Sequence, residues 1–139
     1  MLLYKRFHQA SMRKVIASAI APGLGGLATS LIKSLIGGHM GAEIDLSAVI
    51  TSDVPQNDMW AKTVLFSESQ SRIIATVSVE NQHEFESLFA DLPYALIGRV
   101  IPEYVLKISG ITTISLAMLE KKYKEFSNSR YNGVRVDQL

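Results

Sequence analysis

Residues 22–41 read Pro-Gly-Leu-Gly-Gly-Leu-Ala-Thr-Ser-Leu-Ile-Lys-Ser-Leu-Ile-Gly-Gly-His-Met-Gly, and this stretch decides the fold. It follows an apolar run at 15–21 that is typical of a strand buried on both faces. After the first glycines, leucines recur at helical spacing over 24–36, until Gly37-Gly38 end the pattern. The sequence therefore predicts a strand, a glycine turn and a helix in immediate succession.

The glycine turn has two interpretations. Backbone N–H groups at the start of a helix are unpaired and lie at the positive end of its dipole, so they can hold an anion such as phosphate. The phosphate- or nucleotide-adjacent candidates are Gly23, Gly25, Gly26 and Leu27. Neither the Gly-x-x-x-x-Gly-Lys-Ser/Thr pattern nor a complete Gly-x-Gly-x-x-Gly pattern is present. The alternative is a tight turn whose glycines only let the helix pack closely on a sheet.

Length and composition restrict the class of protein. The 139 residues suffice for one domain with a core, and 47% apolar against 19% charged residues indicates that a partner covers some apolar surface. A net charge of +1 gives no reason to expect nucleic acid binding. No apolar run reaches the roughly 18 residues of a membrane-spanning helix, the first residues do not resemble a signal peptide, and cysteine is absent. We therefore expect a cytoplasmic protein that binds neither nucleic acid nor membrane.

The rest of the chain alternates helix and strand patterns. Apolar residues at 42, 44 and 46 alternate with Glu43 and Asp45, which is typical of a strand with one buried face. Asn81 and Glu84 have the spacing of a capping box at the start of a helix. Ser115 is the expected cap of a last helix, whose buried face would carry Leu116, Leu119, Tyr123 and Phe126.

Further elements complete the predicted fold. They are helices at 3–14, near 60 and at 82–92 with a buried face at 85–92, strands at 73–79 and 94–100, a hairpin partner of the latter at 105–109, and a tail from 127. Together the patterns predict one α+β domain, layered as α/β, with a mixed sheet covered by helices. Its ordered core would run from about 4 to 126.

Few side chains are arranged for chemistry. The segment 67–72 is rich in hydroxyls, and its candidate ligands are Ser67, Glu68, Ser69 and Arg72. A bidentate arginine–carboxylate pair there could hold a ligand, or the segment could simply tie a loop to the next strand. Likewise, Glu43 and Asp45 could bridge a hard cation or form a solvated strand face. The three histidines have no metal-binding spacing, so we expect neither a catalytic residue nor a metal site in this chain.

Three segments together carry a resemblance to a known family. They are Gly-Gly-Leu-Ala at 25–28, Gly-Gly-His-Met-Gly-Ala-Glu-Ile-Asp-Leu at 37–46 and Leu-Phe-Ser-Glu-Ser-Gln-Ser-Arg at 65–72. In this order they resemble the C-terminal domain of phosphoribosylformylglycinamidine synthase subunit II, from the aminoimidazole ribonucleotide (AIR) synthase-related superfamily. Ile-Gly-Arg-Val at 97–100 and Ile-Ser-Leu at 114–116 resemble the family's closing strand and final helix.

The resemblance implies a part in purine synthesis. The family's enzyme is an ATP-dependent C–N ligase that uses Mg²⁺ and amidates formylglycinamide ribonucleotide with ammonia from glutamine. This chain would be the last domain of a longer protein, beside an N-terminal ATP-binding domain, with glutaminase and small accessory subunits as partners. Because the general base and the main ATP and Mg²⁺ ligands belong to other domains, the fragment alone is expected to be inactive and to self-associate, for instance as a homodimer.

One segment departs from the family pattern. Where the family carries His-Asp-x-Ser before the Gly-Gly-Leu, this chain has Ile-Ala-Pro-Gly at 20–23, so a polar corner has become apolar. Two alternatives stay open. One is another superfamily member, similar to selenophosphate synthetase, thiamine-monophosphate kinase or hydrogenase-maturation proteins, which the Ser-Glu-Ser segment disfavours. The other is a non-catalytic oligomerisation module that uses the helix faces 24–36 and 116–126.

Overall fold

The computed structural model describes residues 2–51, 57 and 59–131, with side chains up to residue 125. In chain order the elements are α1 (Leu2–Met12), β1 (Ile16–Ile20), α2 (Gly26–Gly38), β2 (Gly41–Ile44), α3 (Trp60–Phe66), β3 (Ile74–Val77), α4 (Gln82–Phe89), β4 (Gly98–Ile101), β5 (Val105–Ile108), β6 (Thr112–Ser115) and α5 (Leu116–Tyr131). Backbone contacts divide the chain into two compact units. Unit 1 is Met1–Ser34 with Asp45–Ile97, and unit 2 is Leu35–Ile44 with Gly98–Leu139.

Unit 1 combines helices with a two-stranded antiparallel sheet of β1 and β3. One hydrophobic cluster of unit 1 centres on Ala10, Val15 and Phe89, which are at most 5% exposed. The partly buried residues packed against this centre are Leu3, Phe7, Ile16, Val77, Phe85, Leu88 and Leu92. The apolar face predicted at 85–92 is therefore confirmed, and α3 is the short helix predicted near Trp60.

The strand β1 is more exposed than its sequence predicts. Ala17, Ser18 and Ala19 at its centre are all exposed, because β3 is its only strand neighbour among the described residues. A two-stranded ribbon provides little cover for its own side chains. The Ser18 and Thr76 hydroxyls are hydrogen-bonded across the pair at 2.6 Å. The predicted strand is confirmed, and its predicted burial on both faces is wrong.

The helix α4 begins without the predicted capping box. A 3₁₀ turn over Val79–Asn81 precedes it and holds Asn81 at φ −94° and ψ −4°, whereas a capping side chain needs extended backbone. The Asn81 amide instead donates to the carbonyl of Lys14 at 3.4 Å. Glu84 accepts from Arg13 at 3.3 Å. Only the cap differs from the prediction, since the helix itself begins directly after Asn81, at Gln82.

Unit 2 contains a four-stranded mixed sheet in the order β4-β2-β5-β6. The strand β2 runs antiparallel to β4 and parallel to β5, while β5 and β6 are antiparallel. The buried apolar side chains of the two central strands are Ala42, Ile44, Leu106 and Ile108. The α+β class, the mixed sheet and the buried face of β2 are therefore confirmed.

The pairing of β4 and β5 is the main error in the predicted topology. Regular strand structure begins only at Gly98, and β2 lies between β4 and β5. A Cβ at Gly98 would collide with the carbonyl oxygen of Glu43, so the missing side chain lets β4 approach β2. The hairpin partner of β5 is β6, reached through a turn with Gly110 at φ 69°.

The helix α5 begins at the predicted cap. The Ser115 hydroxyl accepts from the N–H of Met118 at 3.4 Å, and Leu116 is fully buried. Tyr123 is 61% exposed, so it does not belong to a buried face within unit 2 as predicted, and the side chain of Phe126 lies outside the described residues. The helix continues to Tyr131, past the predicted start of the tail at 127, and residues 132–139 lie outside the described part of the chain.

Two helices end on a residue with positive φ that is not glycine. After α1, the N–H groups of Lys14 and Val15 donate to the carbonyls of Ser11 and Ala10 at 3.0 and 2.9 Å, which is the Schellman pattern. Lys14 has φ 58°. After α2, His39 has φ 51° in the same arrangement, so the helix passes through Gly37 and Gly38 rather than stopping before them as predicted.

Replacing Lys14 by glycine should stabilise the protein. A left-handed backbone costs a residue with a Cβ about 1–2 kcal/mol, of which the greater flexibility of unfolded glycine removes part. We expect Lys14→Gly to raise the free energy of unfolding by about 0.5–1 kcal/mol in urea titration. Lys14→Ala removes the same charge and keeps the Cβ, so it should give no such gain. Equal effects of the two variants would contradict this explanation.

Candidate functional site

The glycine turn leads from β1 into α2 through two residues with positive φ. Gly25 has φ 81° and Gly26 has φ 62°, a conformation that residues with a Cβ rarely adopt. The Gly26 N–H donates to the carbonyl of Gly23 at 2.9 Å, and the Gly25 carbonyl accepts from Thr29 at 3.3 Å. The predicted glycine-opened helix is therefore present, and it starts at Gly26.

Gly26 lies directly against the end of α3. An ideal Cβ on Gly26 would be 2.6 Å from the carbonyl oxygen of Ser67 and 2.8 Å from the carbonyl carbon of Phe66. These are backbone atoms that cannot move aside as a flexible side chain could. The glycine therefore permits close packing, as in the second interpretation of the turn, but the contact is with the end of α3 and not with a sheet.

The hydroxyl-rich segment comes to this same turn. One carboxylate oxygen of Glu68, Oε1, accepts from the N–H of Gly25 at 2.9 Å. The two groups of candidate residues, which are 43 positions apart at this contact, thus form one site. Sequence patterns give no signal for this contact, because it depends on how the segment after α3 folds back.

Arg72 does not form the predicted pair with Glu68. Its Nη2 donates to the carbonyl oxygen of Ser67 at 2.6 Å and lies 3.3 Å from the Ser67 hydroxyl. That hydroxyl is 2.8 Å from the hydroxyl of Ser69. Ser71, at φ 63°, reverses the chain so that Arg72 reaches back over the segment. These bonds hold the segment to itself, and Glu68 holds it to the glycine turn.

Glu43 and Asp45 have partners within the chain. Glu43 accepts from Arg99 Nε at 2.8 Å and from Lys107 Nζ at 3.1 Å, in a row across β4, β2 and β5. These bonds, with Arg99 first, lower the pKa of Glu43 below 4.5. Asp45 accepts from the hydroxyl and then from the backbone N–H of Ser47, and these bonds lower the pKa of Asp45 as well. Among the described residues, no group of three or more potential ligands could hold a metal.

Sequence reasoning missed a polar cluster in unit 2. The His39 and Tyr104 rings lie 4.3 Å apart, and the Tyr104 hydroxyl donates to Glu120 at 2.8 Å. Burial and Glu120 raise the pKa of Tyr104, while Lys124, at 2.6 Å, and then Tyr104 lower that of Glu120. The cluster borders an open groove of about 560 Å³ beside α5. The spacing of Glu120 and Lys124 predicts an ion pair on a helix. It gives no indication that Tyr104 lies close enough to bond to Glu120.

Comparison with known families identifies the domain. Residues 3–110 match the family model described as "AIR synthase related protein, C-terminal domain". This chain belongs to that family. Among the described residues of this AIR synthase-related domain, no helix is long and apolar enough to cross a bilayer.

Several individual proteins are similar to this domain in sequence or in structure. The domain is 35% identical over 124 residues to phosphoribosylformylglycinamidine synthase subunit PurL of Lactobacillus helveticus, a match that covers 87% of this chain and 15% of the relative. Thermotoga maritima PurL complexed with ADP aligns with a TM-score of 0.74 at 21% identity, over 85% of this chain and 21% of that one. Thiamine-monophosphate kinase from Stenotrophomonas maltophilia aligns with a TM-score of 0.62 at 18% identity, over 71% and 33%. The chain thus spans about 15% of the length of the curated relatives it matches.

Adding a methyl group at Gly26 should disrupt the turn. In Gly26→Ala the Cβ would meet the Ser67 and Phe66 backbone, and φ 62° would be strained. We expect a loss of at least about 2 kcal/mol in the free energy of unfolding. Gly37→Ala is the matched control, because it lies in the same helix with no atom within 4 Å of its new Cβ. It should gain up to about 1 kcal/mol, and a similar loss in both variants would refute the close-packing role of Gly26.

The charge on Glu43 should make stability depend on pH. Its pKa is lowered in the folded state, so its stabilisation is present above pH 4.5 and is lost as pH falls through the folded pKa. Glu43→Gln should therefore be less stable than the parent at neutral pH, with a difference that shrinks in acid. Urea titrations across this range measure it. Glu103→Gln is the control, because the Glu103 side chain has no hydrogen bond or ion pair with any described residue. A difference for Glu43→Gln that does not change with pH would contradict the assignment.

Proposed function

We propose that this chain is the C-terminal domain of a phosphoribosylformylglycinamidine synthase of the PurL type. In this proposal the complete enzyme amidates formylglycinamide ribonucleotide with ATP and Mg²⁺ in purine biosynthesis, in the cytoplasm. The observation that carries the proposal is the match over 124 residues to a subunit of that name. Because the match covers 15% of the relative, the chain is proposed to contribute to catalysis only together with the remaining domains.

The nucleotide is proposed to bind mainly outside this chain. Thermotoga maritima PurL has been solved with ADP and with ATP, and that protein is about five times longer than the part that this chain covers. The described residues offer no three-ligand metal cluster for Mg²⁺. We therefore assign ATP and Mg²⁺ to the whole enzyme, with Gly23, Gly25, Gly26 and Leu27 beside the nucleotide-binding domain.

The exposed apolar surface around the glycine turn supports a role for this turn in packing against another domain. Leu24 is 83% exposed and Phe66 is 58% exposed, and both flank the contact between Gly25 and the segment 66–68. Large apolar side chains in such positions are typical of a surface that a partner covers. We propose that the N-terminal ATP-binding domain covers it in the complete enzyme. In the isolated chain the same surface would promote self-association.

We also propose that the complete enzyme has partner subunits. A Thermotoga maritima structure is described as PurLQS, which indicates an assembly of PurL with additional components. We propose a glutaminase and a small accessory subunit as the corresponding partners here. They would contact the complete enzyme rather than depend on this domain alone.

A chimera tests the proposed function. The matching segment of Lactobacillus helveticus PurL would be replaced by this chain, and the gene expressed in a bacterial strain that lacks its own enzyme. We expect growth without added purine, because the two segments share 35% identity and the rest of the host supplies the catalytic groups. The same host without the segment should not grow.

A folding control completes this experiment. A chimera that carries Gly26→Ala should lose growth along with soluble protein, whereas Gly37→Ala should retain both. A soluble, folded chimera of the unmodified chain that supports no growth would contradict the proposed function.

A further inference from the structure

A carboxylate of the chain itself lies at the start of α2. Glu68 Oε1 accepts from the N–H of Gly25 at 2.9 Å, at the positive end of a 13-residue helix. An anion held by a helix N-terminus would use these backbone donors. The carboxylate therefore has the charge and the hydrogen bond that an external phosphate would have in this place.

A second anion at this turn would lie close to the charge of Glu68. The Gly26 N–H already donates to the Gly23 carbonyl at 2.9 Å. Within the described residues, the N–H groups of Gly23 and Leu24 before the turn, and those of Leu27 and Ala28 after it, have no acceptor. A phosphate reaching them would lie beside the Glu68 carboxylate, and two anions a few ångströms apart repel each other.

The cationic side chain of the segment 65–72, Arg72, is already engaged by the backbone of that segment. Among the described residues, Glu68 forms no ion pair, and the guanidinium of Arg72 is directed to the Ser67 carbonyl. The residues before the turn are Ile20, Ala21, Pro22 and Gly23, which offer no side-chain donor to a phosphate. The residues present therefore do not fit a phosphate at this turn.

We infer that Glu68 occupies the anion position at the start of α2 from within the chain and thereby closes the glycine turn to phosphate. Glu68 acts as a resident substitute ligand that links the segment after α3 to the helix. This inference does not depend on the proposed function, because it concerns only atoms of this chain.

Titration with inorganic phosphate tests the inference. The amide resonances of Gly25, Gly26 and Leu27 would be followed by NMR in the unmodified chain, in Glu68→Ala and in Glu68→Gln. Glu68→Ala frees the Gly25 N–H, and Glu68→Gln keeps an acceptor while removing the charge, so at least the second should preserve the fold. Glu103→Gln removes one carboxylate elsewhere and serves as the control.

The expected result is no saturable shift in the unmodified chain or in Glu103→Gln at millimolar phosphate. Both Glu68 variants should bind phosphate at these amides about tenfold or more tightly than the unmodified chain, because the competing charge is removed. Saturable binding by the unmodified chain would overturn the inference, as would Glu68 variants that bind no better than Glu103→Gln. Neither result would bear on the chimera, which reports growth and not phosphate contact.

Discussion

The close approach between the start of α2 and the end of α3 is the constraint on which unit 1 depends. Gly26 lies so near the backbone of 65–67 that no side chain fits between them. Next to it, the N–H of Gly25 is bound by Glu68. The two contacts fix where α2 begins, and they also fix the segment that follows α3. A turn that appears suited to an external ligand is thus used by the chain for its own packing.

Close backbone contact at a glycine also occurs in unit 2, on both sides of the central strand β2. A Cβ on Gly98 would collide with the carbonyl of Glu43, and one on Gly41 would collide with the carbonyls of Glu103 and Val105. Glycine there permits backbone contact, and Glu43 then joins three strands through Arg99 and Lys107. Close backbone approach brings charged side chains together, although these ion pairs are partly exposed and individually weak.

Much of this fold follows from local patterns, and the errors have physical causes. The existence of the helix α2, the buried side of β2 and the cap at Ser115 were predictable because each depends on neighbours in sequence. The pairing of β5 with β2 was not, since strand order depends on contacts more than sixty residues apart. The capping box at Asn81 failed because a preceding 3₁₀ turn changed its backbone conformation.

For the candidate site, the sequence identified the residues involved but not which of them are in contact. Gly25 and Glu68 were both candidates, one for binding phosphate and one for a polar cluster, and only the fold brings them within 2.9 Å. A crystal structure of the chain grown in concentrated phosphate would test this account most directly. The account predicts Glu68 on the Gly25 N–H with no phosphate at the turn. A phosphate on the Gly25 and Gly26 amides, with Glu68 turned away, would contradict it.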